Sequence, residues 1–207
     1  GDMPGPAEHF PWNWKVMMEN NNDGYHANKL HAGPLHNIVP SQLSSFPAMP
    51  EDSAGYLRFN GTLHPDAAFN PTHKALLPIF PGLSAEERAR FIFCNVPPTL
   101  SLVVMNDQIT YMILHAHGPD EVSMTRGWLV APGAREQPLF REKLKFGQDA
   151  IKSIVAQDLH VDALLPTGLK SRFAVRGRYS WQEQAQRDFN HWLVQRYKRA
   201  WRRSQAD

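Results

Sequence analysis

Between residues 101 and 130 the chain leaves room for only one kind of connection. Ser101–Met105 and Gln108–His115 are apolar, β-rich runs parted by Asn106-Asp107 alone, a pair suited to a two-residue hairpin turn. His117-Gly118-Pro119-Asp120 then separates a third run, Val122–Val130. A parallel crossover consumes roughly a dozen residues or more. These spacers are too short for one, so the three strands form an antiparallel meander and βαβ architecture is excluded here. No Gly-x-Gly-x-x-Gly or phosphate loop occurs, so a nucleotide-binding fold has no support.

The flanking segments complete an α+β pattern. Gly55–Leu63 reads as a strand, and Ser84-Ala-Glu-Glu opens a short helix toward Arg90 with a capping pattern. Residues 32–54, rich in Pro, Ser and small residues without a period, read as a loop. Residues 136–160 form one helix. Ser180-Trp-Gln-Glu183 is a capping box opening another, along which Trp181, Ala185, Phe189, Trp192, Leu193, Tyr197, Ala200 and Trp201 recur at helical spacing. That face is expected to pack on the sheet as core. Its basic end, Lys198, Arg199, Arg202 and Arg203, complements the helix dipole rather than marking a nucleic-acid patch, since the net charge is only +2.

At 207 residues the chain suffices for a single domain, residues 1–207, with 1–11 a leader or remnant linker. No apolar run approaches a membrane span and no signal peptide is visible, so no membrane partner and a cytoplasmic location are the expectations. One cysteine, Cys94, permits no internal disulfide.

The chemistry-bearing stretch is Asp23-Gly-Tyr-His-Ala-Asn-Lys-Leu-His31. It sets two imidazoles five residues apart with a carboxylate three residues before the first. On a helix Asp23 and His26 share a face, so the carboxylate can accept the imidazole N–H. His26 and His31 would diverge by about 140° on an ideal helix. Both reach one metal only if the helix ends, bends or bulges, and Gly33-Pro34 is a plausible stop. His115-Ala-His117 offers a second candidate pair, since alternate strand residues point the same way; polar flanks of a turn are the simpler reading.

Asn13-Trp14-Lys15, Glu19-Asn20 and then Asp23-x-Tyr-His26-x-x-x-x-His31 follow one another in an order that resembles the iron-binding segment of Rieske non-haem iron ring-hydroxylating oxygenase alpha subunits. The resemblance covers nearly the whole chain, but only the catalytic half of the family architecture. It implies a helix-grip (Bet v1/START-like) fold, an antiparallel sheet wrapped on a long C-terminal helix around an apolar cavity. It implies mononuclear Fe(II) on His26 and His31, with Asp23 the bridge from a cluster histidine to His26. Phe146-Gly147-Gln148-Asp149 through Gln157 looks like the family's later helix, which implies Asp149 as the third ligand. An ordinary acidic helix start is the other reading of Asp149, and Asp158 is its nearest rival.

The function so implied is activation of dioxygen to hydroxylate an aromatic or other apolar substrate, as a mono- or dioxygenase. The [2Fe–2S] Rieske cluster needs two Cys and two His, which this chain cannot supply with one Cys. Electrons are expected from a Rieske domain or ferredoxin and reductase chain, across a homotrimer as in the family. A helix-grip carrier of hydrophobic ligands without metal is the alternative, and a metal-dependent hydrolase a third.

Overall fold

The computed structural model describes residues 5–205 except 34, 51, 52 and 54. Pro34, half of the expected stop, therefore lies outside the described residues.

Seven strands form one antiparallel sheet in the order β1-β7-β6-β5-β4-β3-β2. The meander of β5 (Leu100–Val104), β6 (Gln108–Gly118) and β7 (Glu121–Val130) is its centre. Asn106 and Asp107 make the turn as expected, yet both are buried: Asn106 Nδ2 donates to Arg88 O, and Asp107 Oδ2 accepts from the backbone of Leu76 and Leu77. On one side β4 (Arg90–Val96), β3 (Tyr56–Gly61) and the two-residue β2 (Ser44–Ser45) extend the sheet. On the other, β1 (Glu8–Phe10) pairs with β7, Phe10 opposite Val122. Residues 8–10 are thus an edge strand whose Phe10 reaches the core, where a leader or linker was expected. The short helix expected near 84–90 contracts to a 3-10 turn, Glu87–Ala89, with Ser84 Oγ accepting from Glu87 N and the Glu87 carboxylate accepting from Ser84 N. β4, Arg-Phe-Ile-Phe-Cys-Asn-Val, follows at once with clean inside–outside alternation.

Helices cover one face. α1 (Trp14–Asn22) and α2 (Ala27–Leu30) precede the sheet's main strands in the chain. α3 (Phe140–Asp162) and the short α4 (Leu165–Leu169) follow β7, and α5 (Gln184–Ser204) closes the chain. Met18, Tyr56, Leu114, Met124 and Phe189 bind α1, the sheet and α5 into one apolar cluster. A second joins Leu35, Val39, Phe69, Phe91 and Met105 to Ile151 of α3. Leu35, Ile38 and Val39 give the loop after α2 an apolar underside, so it is a packed cover despite its lack of period.

α5 corrects one expectation. Ser180 and Glu183 form the capping box, and Ala185, Phe189 and Leu193 are buried. From Val194 onward every described residue is exposed, including Tyr197 at 59% and Trp201 at 68%. The apolar periodicity outruns the surface that could cover it, so only the first half of that face is core.

Candidate metal centre

The two histidines stand at the ends of a single helical turn. α1 stops at Asn22, and Asp23 takes extended backbone angles as its C-cap. Its carboxylate then folds back as an Asx-type turn, accepting the backbone N–H of Tyr25 at 2.6 Å and of His26 at 3.3 Å. Gly24 lets the chain pass closely here: a Cβ on it would sit 3.1 Å from Ser44 Oγ and 3.3 Å from Gln182 O. His26 immediately precedes α2 and His31 immediately follows it. This resolves the awkward five-residue spacing, because neither imidazole lies within a continuous ideal helix.

Each ring is oriented through Nδ1. Asp23 Oδ2 accepts from His26 Nδ1 at 2.9 Å, and Gln157 Oε1 accepts from His31 Nδ1 at 2.8 Å. With Nδ1 donating, Nε2 of each neutral ring carries the free lone pair. The two Nε2 atoms face each other at 3.3 Å. Asp158 Oδ1 completes the group, 2.9 Å from His31 Nε2 and 3.4 Å from His26 Nε2. Asn20 Nδ2 donates to the same oxygen at 3.3 Å. Among the described residues, His26, His31 and Asp158 are the group of His, Cys, Asp and Glu side chains able to share one ion.

The carboxylate that the fold brings to the two imidazoles is Asp158, and Asp149 does not join them. Both lie on α3, but nine residues separate them, about half a turn out of phase. Asp149 points to solvent, 58% exposed, and pairs with Lys145 Nζ at 2.5 Å. A signal for Asp158 exists in the sequence: Ile151, Ile154, Val155, Asp158, Leu159 and Asp162 recur at helical spacing along one face, and all line the same cavity. Two acids on an apolar stripe are costly unless they have partners or a task. His115 and His117 gather no such set. His115 is exposed, and His117 stacks on His9 and bonds Ser123 Oγ at 2.7 Å.

The arrangement suits a divalent metal. Three ligands at right angles, each about 2.1 Å from an ion, would stand about 3.0 Å apart, against the 2.9–3.4 Å observed. Two lone pairs face to face also require a cation between them, a proton or a metal. Burial opposes the charge of His26, but hydrogen bonds and charges from Asp158 and Asp23 outweigh burial and raise its pKa to about 9. Burial likewise works against the Asp158 carboxylate, and His26 and His31 overcome it, bringing Asp158 down to about 2. Asp162, one turn beyond, has no such partner. Burial, then the charge of Asp158, push it up to about 7, against a smaller pull from His26.

The site opens into a cavity between α3 and the sheet, walled by Met17, Val103, Met112, Leu114, Met124 and Val155. Arg58 of β3 also lines it. Its guanidinium is buried over the Phe93 ring at 3.9 Å and donates to Asn60 Oδ1 at 2.9 Å. Burial draws its pKa down to about 10, which the charge of Asp23 partly offsets. Neither Arg58 nor Gln157 was singled out for a role by sequence, because Phe93 beneath Arg58 and His31 beside Gln157 come from distant segments.

A quaternary ammonium Rieske monooxygenase superposes with a TM-score of 0.65 and 16% identity, over 94% of this chain and 50% of that one. Dicamba monooxygenase bound to dicamba gives 0.60 and 12%, over 96% and 59%. Naphthalene 1,2-dioxygenase with indole in its active site gives 0.51 and 16%, over 83% and 43%. At these identities the likeness is one of fold, and it bears out the helix-grip expectation. The chain spans about half the length of the first of these structures. No curated protein matches it by sequence. The sequence model of the ring hydroxylating alpha subunit, catalytic domain, matches residues 4–199, and the chain belongs to that family.

Proposed function

We propose that this chain is a mononuclear non-haem iron oxygenase domain that hydroxylates an aromatic or other apolar substrate, with electrons from a Rieske centre outside these residues. The observation that carries the reading is the convergence of two Nε2 atoms and one carboxylate oxygen within 3.4 Å, each ring fixed from behind through Nδ1. Two His and one carboxylate on one side of an ion leave its other positions open, the ligand set of Fe(II) oxygenases. Ferrous iron held there would supply the activation of dioxygen.

The chain's own residues do the rest. Asp23 and Gln157 lock the imidazole tautomers, so that Nε2 and not Nδ1 meets the ion. Asn20 orients Asp158 by donating to Oδ1. The apolar wall excludes water and holds the substrate beside the open face. Asp23 carries a second task in this reading: it joins His26 to the incoming Rieske centre, across a subunit interface if the chain assembles as a trimer. A carrier without metal has no use for two imidazoles held in this way.

The test is anaerobic loading with Fe(II) followed by nitric oxide. A high-spin iron–nitrosyl EPR signal, lost in His31→Ala, supports the reading. Its absence from iron-loaded protein would sink it.

A further inference from the structure

The face of the sheet that lines the cavity carries a set of unsatisfied donors away from the histidines. Arg126 of β7 is directed into the cavity from the strand pair β6–β7, opposite Met112 in register and following Met124 on the same face. Its side chain is nine-tenths buried. Nε and Nη2 have no hydrogen-bond partner. The nearest carboxylate, Glu8 on the edge strand, stops 3.7 Å from Nη2 and is itself 52% exposed. Two further orphaned groups adjoin it. Thr110 Oγ1 and Trp128 Nε1 are buried without partners, and these two residues stand opposite each other on β6 and β7. Thr110 lines the same cavity as Arg126, and Trp128 lines the adjoining recess under the start of α3, which Arg126 also borders.

A buried guanidinium without a hydrogen-bonded partner is costly, and a protein that keeps one normally has an anion to meet it. We propose that Arg126, with Thr110 and Trp128 beside it, binds an anionic group of the substrate, so that the substrate is an apolar or aromatic carboxylic acid. This rests on the oxygenase reading for what is done to the acid, but not for its binding. A carboxylate fits because Arg presents parallel N–H donors to its two oxygens, with a hydroxyl and an indole N–H to complete them. Burial already depresses the Arg126 pKa, with Glu8 only partly restoring it, so an anion arriving there meets a poorly solvated cation.

The charge layout gives the substrate a direction. Asp23, Asp158 and Asp162 are the acids lining the cavity, and they lie at the end where α1 and the last turns of α3 meet. Gln148, which borders the recess beside Arg126, precedes Asp158 by ten residues of α3, about 15 Å along the helix axis. At that end Asp23 and Asp158 already face the cations His26 and Arg58, so a carboxylate finds unsatisfied donors at Arg126 instead. The apolar body, among Met112, Leu114 and Met124, would then reach toward the histidines.

The experiment is calorimetric titration of the metal-free chain with acid–amide pairs that differ in charge alone: benzoate and benzamide, 3-phenylpropionate and its amide, octanoate and its amide. At least one acid should bind tenfold or more tightly than its amide. Arg126→Met should erase that preference, and Arg126→Lys should keep part of it, since an ammonium supplies charge without the fork. Arg126→Met should also be as stable as the parent or more so, because it removes a buried charge whose Nε and Nη2 make no hydrogen bond and whose carboxylate neighbour, Glu8, stands 3.7 Å away and half exposed. The proposal is overturned if no acid is preferred over its amide by the parent chain, or if the preference survives Arg126→Met. Fe(II) uptake by Arg126→Met, measured in parallel, separates the two readings: normal uptake without acid preference in the parent chain discards only the carboxylate, and failed uptake by the parent chain discards the metal centre.

Discussion

Asp23 Oδ2 accepts the Nδ1 proton of His26 at 2.9 Å, and in doing so turns the Nε2 lone pair of that ring toward His31 and Asp158. One hydrogen bond thereby decides which nitrogen is available to a metal. The same carboxylate holds the backbone of Tyr25 and His26, so the turn that places the ring and the bond that orients it share one side chain.

Asp23→Asn keeps the size of that side chain while removing its charge. The amide oxygen still accepts a hydrogen bond, but more weakly. We expect Fe(II) affinity to fall by about 10–100-fold, the usual range for a group that orders a ligand from behind, with iron still bound at saturating metal. Oxidation of substrate supported by a reduced Rieske partner should fall much further. Isothermal titration and single-turnover assays on the iron-loaded variant check both. Normal turnover would reduce Asp23 to a turn-forming residue.

Asp162 predicts a pH dependence of stability in the metal-free protein. Its folded pKa of about 7 lies above the ordinary carboxylate value of 3.8. Between those values the folded state binds more protons than the unfolded chain, so stability falls as pH rises through that window, by up to about 1.4 kcal/mol per pH unit. Asp162→Asn removes the ionisation. Urea unfolding in the presence of a chelator should show the parent losing stability from pH 4 to pH 7, with the difference between parent and variant levelling off above 7. His26, raised to about 9, adds a further loss between its ordinary 6.5 and that value in both proteins. Parallel pH curves for the two proteins would contradict the burial of an ionisable Asp162.

Much of this molecule was legible because its signals are local. The Asn106-Asp107 turn, the capping box at Ser180 and the order of residues from Trp14 to His31 each specify structure within a few positions. The third carboxylate was not so specified. Asp149 and Asp158 lie on the same helix, and only the side facing the sheet distinguishes them; the apolar stripe through Ile151 and Val155 carried that information, whereas similarity of a motif did not. β1 escaped notice because three residues are too few to show a period, and pairing with β7 supplies what the segment lacks. The second half of α5 misled for the opposite reason: a strong period tells which residues share a face, but not whether anything covers it.

Gly127 tests the register of the central hairpin. It stands opposite Tyr111, and a Cβ there would come within 2.6 Å of Tyr111 Cε1. The glycine makes room for the ring of its cross-strand neighbour. Gly127→Ala should cost about 1–3 kcal/mol, the range for overpacking, and Tyr111→Ala should largely relieve that penalty when combined with it. A double-mutant cycle by urea unfolding reads the coupling. Additive effects would place the two side chains apart and contradict the register.

The measurement that bears most directly on the metal centre is the stoichiometry of Fe(II) bound anaerobically by the parent chain, Asp158→Ala and Asp149→Ala. Asp149 makes only an exposed pair with Lys145, of the kind worth about 0–1 kcal/mol, so its removal should leave both the fold and the metal untouched. The parent and Asp149→Ala should each hold one iron per chain, and Asp158→Ala should bind at least about 100-fold more weakly, since it loses a ligand outright. Full binding by Asp158→Ala with loss in Asp149→Ala, or no iron in the parent, would contradict the centre formed by His26, His31 and Asp158.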